Sequence, residues 1–247
     1  MPVLFTAVGL TLLGSLGGLL LASALLLFSD RVRVGLVAGL VSYAVGTLLG
    51  VALLELVPQA LEGLPAIRVL GTMLGGILLF FILEKLVIWR HCHTEECVAH
   101  STAAPLVLIG DAFHNFVDGA VIAAAVVSSL PLGISTAVAV AAHEIPQELG
   151  DFAILLGAGY SRTRALVLNM LSGLAAVVGA LVSLAALEVI PDLLPYVLSI
   201  AAASFLYIAM ADLIPDLHRG GIDARAIRQI VLVLAGIATV VAFARLL

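Results

Sequence analysis

The chain has 247 residues, 63% hydrophobic and only 11% charged, with a net charge of −5 and a mean hydropathy of +1.25. Soluble domains carry roughly 25% charged residues, so a soluble fold of this size could not hide so much apolar surface, and the sequence reads as an all-α integral membrane protein. The acidic balance offers no basic patch for nucleic acid.

A transmembrane helix needs about 20 mostly apolar residues, and polar or Pro/Gly breaks divide the chain into eight such runs. The first, Val3–Phe28, lacks the basic lead of a signal peptide and is too long for its apolar core, so it is read as span 1. Spans 2 and 3 follow at Val34–Val57 and Ala66–Trp89. A polar loop, residues 90–103, reads "RHCHTEECVAHSTA". Its two cysteines, Cys92 and Cys97, are too few for a disulfide framework. With His91, His93 and His100 they are ordinary zinc-ligand types, and free solvated side chains are an equal reading. Spans 4 to 8 are Ala104–Ser128, Leu132–Gly157, Ala165–Leu187, Pro191–Ile214 and Ala226–Leu246. Nothing alternates in the short segments a β-barrel requires. The expectation is one polytopic domain, residues 1–247, in which Gly46, Gly50, Gly71, Gly75 and Gly76 serve close helix packing.

Eight spans put both termini on one side. With the termini outside, the inner side holds Arg31, Arg33, Lys85, Arg90, Arg162, Arg164, Arg219, Arg225 and Arg228, against Arg68 and Arg245 outside. That bias orients the chain with extracytoplasmic termini and the 90–103 loop in the cytoplasm. Spans 2 and 7 also echo one another, in Glu55-Leu-Val-Pro58 and Asp212-Leu-Ile-Pro215. Spans 1–3 and 6–8 then form inverted repeats around a central pair, a 3+2+3 plan of the kind secondary transporters use. Glu55 and Glu84 themselves read as helix-packing or helix-end groups.

The central pair is where the polar residues gather. Span 4 carries Asp111, His114, Asn115 and Asp118; span 5 carries His143, Glu144, Gln147, Glu148 and Asp151. Ionisable groups at membrane depth cost roughly 2.5–3.5 kcal/mol each to insert and mark pathways or sites. His114 with Asp118, His143 with Gln147, and Glu144 with Glu148 are i,i+4 pairs, each on one helix face. Two such faces can enclose a divalent cation, which would also neutralise carboxylates that otherwise repel one another. Imidazole suits zinc and other late metals. Two adjacent ions fit the pattern: one on His114, Asp118, His143 and Gln147, the other on Asn115, Glu144 and Asp212, with Gln147 open to sharing. Asp111 is expected to line the path or to orient His114, and Glu148 and Asp151 to line the path, gate it or join the ligands. Pro146 should kink span 5 and free the Ala142 carbonyl beside these groups.

"HNFVDGAVI" followed by "HEIPQELGDFAILL", with "GGILLFFILEKLVIWRHCH" and "ASFLYIAMADLIPD", resembles the ZIP (Zrt/Irt-like) metal transporters, in particular their LIV-1-like branch. The resemblance implies cytoplasm-directed transport of Zn²⁺ and, in some members, Fe²⁺, Mn²⁺ or Cd²⁺. By motif position it implies a site of His114, Asn115, Asp118, His143, Glu144 and Gln147, and it matches Asp212 to a carboxylate of the seventh span. Two departures stand out. The branch usually has histidine where this chain has Gln147, and the long His-rich segments of animal members are reduced to "HCHTEEC".

The expected function is therefore metal transport at the plasma (inner) membrane, not catalysis. The metal is cargo in a mono- or binuclear site, and no cofactor is required. The expected partners are the cation, the bilayer and a second copy of the chain as a homodimer. The rival is an intramembrane metalloprotease, because His143-Glu-Ile-Pro-Gln147 is one residue from the H-E-x-x-H zinc motif.

Overall fold

The computed structural model describes residues 2–25, 27–91, 100–217 and 224–246; for 30, 31, 33, 34, 84, 86–91, 100–106, 216, 224, 225 and 246 the description is of the backbone alone. Every regular element among the described residues is helical. In chain order they are α1 (Pro2–Leu25), α2 (Asp30–Val51), a π-helical turn π1 (Ala52–Leu56), α3 (Val57–Gly63), α4 (Ala66–His91), α5 (His100–Ser128), α6 (Leu130–Gly157), α7 (Arg162–Gly173) and α8 (Ala175–Val189). A short 3₁₀ turn, Pro191–Leu193, leads into α9 (Leu194–Tyr207), a second π turn π2 (Ile208–Leu213), α10 (Ile214–Leu217) and α11 (Ala224–Leu246). Among the described residues, seven helical stretches are long and apolar enough to cross a membrane. α6 is 28 residues long, but its polar run from His143 to Asp151 dilutes its apolar character.

Local chemistry explains the breaks. The two π turns arise at the echoed motifs. Pro58 and Pro215 have no N–H to give, and the residue before each reaches back five positions instead of four: Val57 N–H to the Ala52 carbonyl and Ile214 N–H to the Ala209 carbonyl. α6 starts at Ser129, whose hydroxyl accepts from the Leu132 N–H at 3.3 Å, with Pro131 in the first turn. Gly159, at φ +86, turns the chain from α6 into α7. Span 6, expected as one helix, is broken at Leu174 into α7 and α8.

The packing has a two-fold plan. α5 lies along α8 and α1 along α6; α2 lies along α11 and α4 along α9; α2 also touches α6, and α9 touches α5. Exchanging spans 1, 2, 3 and 4 for 6, 7, 8 and 5 leaves this pairing unchanged. Lipid gives helices no hydrophobic reason to associate, so close backbone approach matters. Gly46 sits against the Val233 backbone and Gly119 against the Ala176 backbone; a Cβ at either would overlap it. Gly50 and Gly76 also meet neighbours, at Val240 and Ala203. Gly71 and Gly75 do not: they face open space on the outer side of α4, so their expected packing role is not seen.

A candidate metal centre between two polar helices

α5 and α6 pack against each other, and the i,i+4 spacing of their polar residues turns one stripe of each towards the other. Four side chains converge there. His114, Asp118, His143 and Glu144 each offer a ligand atom, all within 4.8 Å of one another. The His143 Nε2 atom lies 3.1 Å from His114 Nε2, 3.0 Å from Asp118 Oδ2 and 3.7 Å from Glu144 Oε1. His114 Nε2 lies 3.5 Å from Asp118 Oδ2 and 3.6 Å from Glu144 Oε1. Four ligands at zinc–nitrogen and zinc–oxygen distances of about 2.0–2.1 Å in a tetrahedron stand roughly 3.3 Å apart. The five separations bracket that value, so the four atoms already stand close to the corners a zinc ion needs.

Protonation favours the same chemistry. His143 Nδ1 lies 3.0 Å from the Ala139 carbonyl, to which it can only donate. In the neutral ring this leaves the Nε2 lone pair pointing into the cluster. Asp118 and Glu144 are fully buried, and none of their four carboxylate oxygens accepts a hydrogen bond. Buried carboxylates without donors are costly, and a cation at the centre would satisfy them. Pro146 leaves the Ala142 carbonyl without its helical donor one residue from His143. The Phe205 ring of α9 stands edge-on to His143, its centroid 6.1 Å away, and closes that side with an apolar wall.

The amides are placed differently. Asn115 Nδ2 donates to Asp111 Oδ1 at 3.0 Å and to the Asp111 carbonyl at 3.2 Å, and Gln147 Nε2 donates to the same Oδ1 at 3.1 Å. The Asn115 oxygen accepts from the Ser15 hydroxyl of α1 at 2.7 Å, and Ser15 also approaches the Gly173 carbonyl at 3.2 Å, at the α7–α8 break. Asp111 therefore orients the two amides rather than His114. Glu148 and Asp151 are buried on α6 beyond this layer. Asp212 is exposed on π2 and stands apart from the four converging groups. Cys92, His93 and Cys97 lie outside the described residues, and of His91 and His100 only the backbone is described.

Sequence reasoning missed Ser15, Asn169 and Phe205. Ser15 had a faint signal, a hydroxyl set among Gly14, Gly17 and Gly18 in an otherwise apolar span. Gly18 matters as well: a Cβ there would come 2.9 Å from the Glu144 Cβ. Asn169 is the one amide in span 6. Nothing marked Phe205, since aromatic residues in membrane helices usually face lipid or apolar neighbours.

Residues 88–244 match the family model described as ZIP Zinc transporter. The chain is 39% identical over 135 residues to Zinc transporter ZIP10 of Mus musculus, covering 53% of this chain and 16% of that protein. It is 46% identical over 110 residues to Zinc transporter ZIP4 of Homo sapiens, covering 44% and 17%. It is 32% identical over 219 residues to Zinc transporter ZIP13 of Pongo abelii, covering 83% and 66%. The chain thus spans less than a fifth of the length of the ZIP10 and ZIP4 relatives. The metalloprotease alternative is corrected on two grounds. These relatives are transporters by name, and the position where the protease motif needs a second imidazole holds an amide bound to Asp111.

Proposed function

Because the chain belongs to the ZIP zinc transporter family, we propose that it carries divalent transition-metal ions, Zn²⁺ above all and Fe²⁺, Mn²⁺ or Cd²⁺ secondarily, into the cytoplasm through the cluster between α5 and α6. The observation that carries this reading is the near-tetrahedral convergence of His114, Asp118, His143 and Glu144, with two buried carboxylates that nothing else satisfies. These four hold the ion after it sheds most of its water. Asn115, Gln147 and Asp212 serve a second ion or a rearranged state, since Asp111 engages both amides here. The chain crosses the plasma (inner) membrane eight times with both termini outside, in line with the Lys/Arg bias. The helices bearing the cluster then move against the rest to open it inward. A homodimer is compatible with this scheme.

Purified protein in liposomes tests the reading. Zn²⁺ uptake is expected in the intact chain and should fall by about 100-fold in His114→Ala or His143→Ala, with both variants still inserted. Uptake that is absent from the intact chain, or unchanged in both variants, would overturn it.

A further inference from the structure

Hydroxyls in helices commonly bond back to the carbonyl four residues earlier, as Ser42 and Ser199 do here. Ser15 of α1 instead reaches across to two other helices. Its hydroxyl lies 2.7 Å from the Asn115 amide oxygen of α5 and 3.2 Å from the Gly173 carbonyl at the α7–α8 break. Ser15 is 1% exposed and Asn115 is fully buried, so the protein itself must supply their partners. The Gly173 carbonyl is open because of the break. There the Val177 N–H turns to the Leu174 carbonyl at 3.1 Å, instead of to Gly173, its partner in an unbroken α-helix.

A hydroxyl has one proton to give. Two acceptors stand within its reach, and it can serve only one of them well at a time. The other end of the Asn115 amide fixes which atom faces Ser15: Nδ2 donates to the Asp111 carbonyl at 3.2 Å and to Asp111 Oδ1 at 3.0 Å, so the oxygen points the other way. A hydrogen bond on that oxygen occupies one of its two lone pairs and draws charge from the other. The same face of α1 also meets the metal cluster. At Gly18, three residues on from Ser15, a Cβ would stand 2.9 Å from the Glu144 Cβ.

We propose that Ser15 is a positioning residue that sets how readily Asn115 accepts a second metal ion. With its proton on the amide oxygen, Ser15 holds that ligand back; with its proton turned to Gly173, it releases it. The inference rests on the reading of Asn115 as a ligand for a second ion beside the four-group cluster. The turn is a rotation of one hydroxyl between two acceptors already within bonding distance. It also ties the second ion to the packing of α1 on α7 and α8, because any shift of the break relative to α1 changes the distance from Ser15 to the Gly173 carbonyl.

The test is calorimetric titration of Zn²⁺ into the full chain in lipid nanodiscs, with the zinc bound per chain counted by elemental analysis. The parent should bind in a tight step and a weaker one. Ser15→Ala, which removes the competing proton, should tighten the weaker step by roughly two- to tenfold, the worth of one hydrogen bond. Ser15→Thr keeps the hydroxyl and should not show that gain. Asn115→Ala should abolish the weaker step, and adding Ser15→Ala to it should not bring the step back. A general loosening of helix packing would not depend on Asn115 in this way. A weaker step that is unchanged or weakened in Ser15→Ala, or a gain that survives Asn115→Ala, overturns the proposal. So does a single ion per chain that still requires the histidines, a result that leaves the transport site standing. Zinc binding indifferent to His114→Ala and His143→Ala would instead defeat the transport site itself, so the two readings fail in distinguishable ways.

Discussion

The helices fall into two groups that use their polar side chains in opposite ways. In α1, α5, α6, α7 and α8, side chains bond from one helix to another: Ser15 to Asn115 and Gly173, Gln147 to Asp111, Ser172 to the Leu108 carbonyl at 3.2 Å. In α2, α9 and α11, hydroxyls mostly turn back on their own helix. Ser42 bonds the Ala38 carbonyl at 2.8 Å, Ser199 the Pro195 carbonyl at 2.7 Å and Thr239 the Ala235 carbonyl at 2.9 Å. The exception, Tyr43 to Thr239 at 3.0 Å, stays within the group. Each of these hydrogen bonds lies inside one group or the other. The contact between them, α2 on α6 and α9 on α5, includes apolar faces such as Phe205 on His143. A unit cross-linked within itself can shift as a body against its neighbour without breaking its own bonds.

Substitutions can break that contrast or sharpen it. The largest effect is expected at the backbone contacts, which both groups share. Gly46→Val and Gly119→Val each force a side chain into a neighbouring backbone, costing at least 1–3 kcal/mol, about the usual range for overpacking. Both should lower the thermal midpoint in detergent by several degrees. A Gly46→Val protein as stable as the parent would mean the α2–α11 contact is not tight.

Next comes Gln147→His. An imidazole in place of the amide releases Asp111 from one bond and adds a late-metal ligand beside the cluster. Competition uptake should then shift towards Zn²⁺ over Mn²⁺ by roughly tenfold; an unchanged ratio would show that position 147 does not set selectivity. The smallest effects separate the groups most cleanly. Ser15→Ala removes a cross-helix bond worth about 0.5–1.5 kcal/mol and should change zinc affinity several-fold by freeing the Asn115 oxygen. Ser42→Ala removes only a bond within its own helix and should leave zinc affinity unchanged. Calorimetric titration of the pair checks both; equal effects would dissolve the distinction between the groups.

The apolar runs made the helices legible, and the i,i+4 pairs made His114, Asp118, His143 and Glu144 legible as a cluster, because a helix converts spacing directly into a shared face. The limits were of another kind. Asn115 and Gln147 have the same spacing as the converging groups, but an amide has a donor as well as an acceptor. Its orientation depends on what else is near, here Asp111. Ser15 and Phe205 come from helices distant in sequence, and only packing brings them to α5 and α6. The π turns were foreshadowed by the echoed prolines, yet a proline alone does not say whether a helix will kink, stop or widen. Glu55 and Asp212 illustrate the same limit: matched in sequence and backbone, one is buried and the other exposed.

The 3.1 Å between the Nε2 atoms of His114 and His143 carries a consequence of its own. In a pair of neutral rings, two lone pairs repel at that distance, so one Nε2 carries a proton or both share a cation. With the Nδ1 proton of a neutral His143 engaged by Ala139, a proton between the two nitrogens would belong to His114. A metal ion takes that position when the His114 proton moves to Nδ1, a change of tautomer that leaves the ring neutral. Loading the cluster would then turn on which nitrogen of one ring carries a proton.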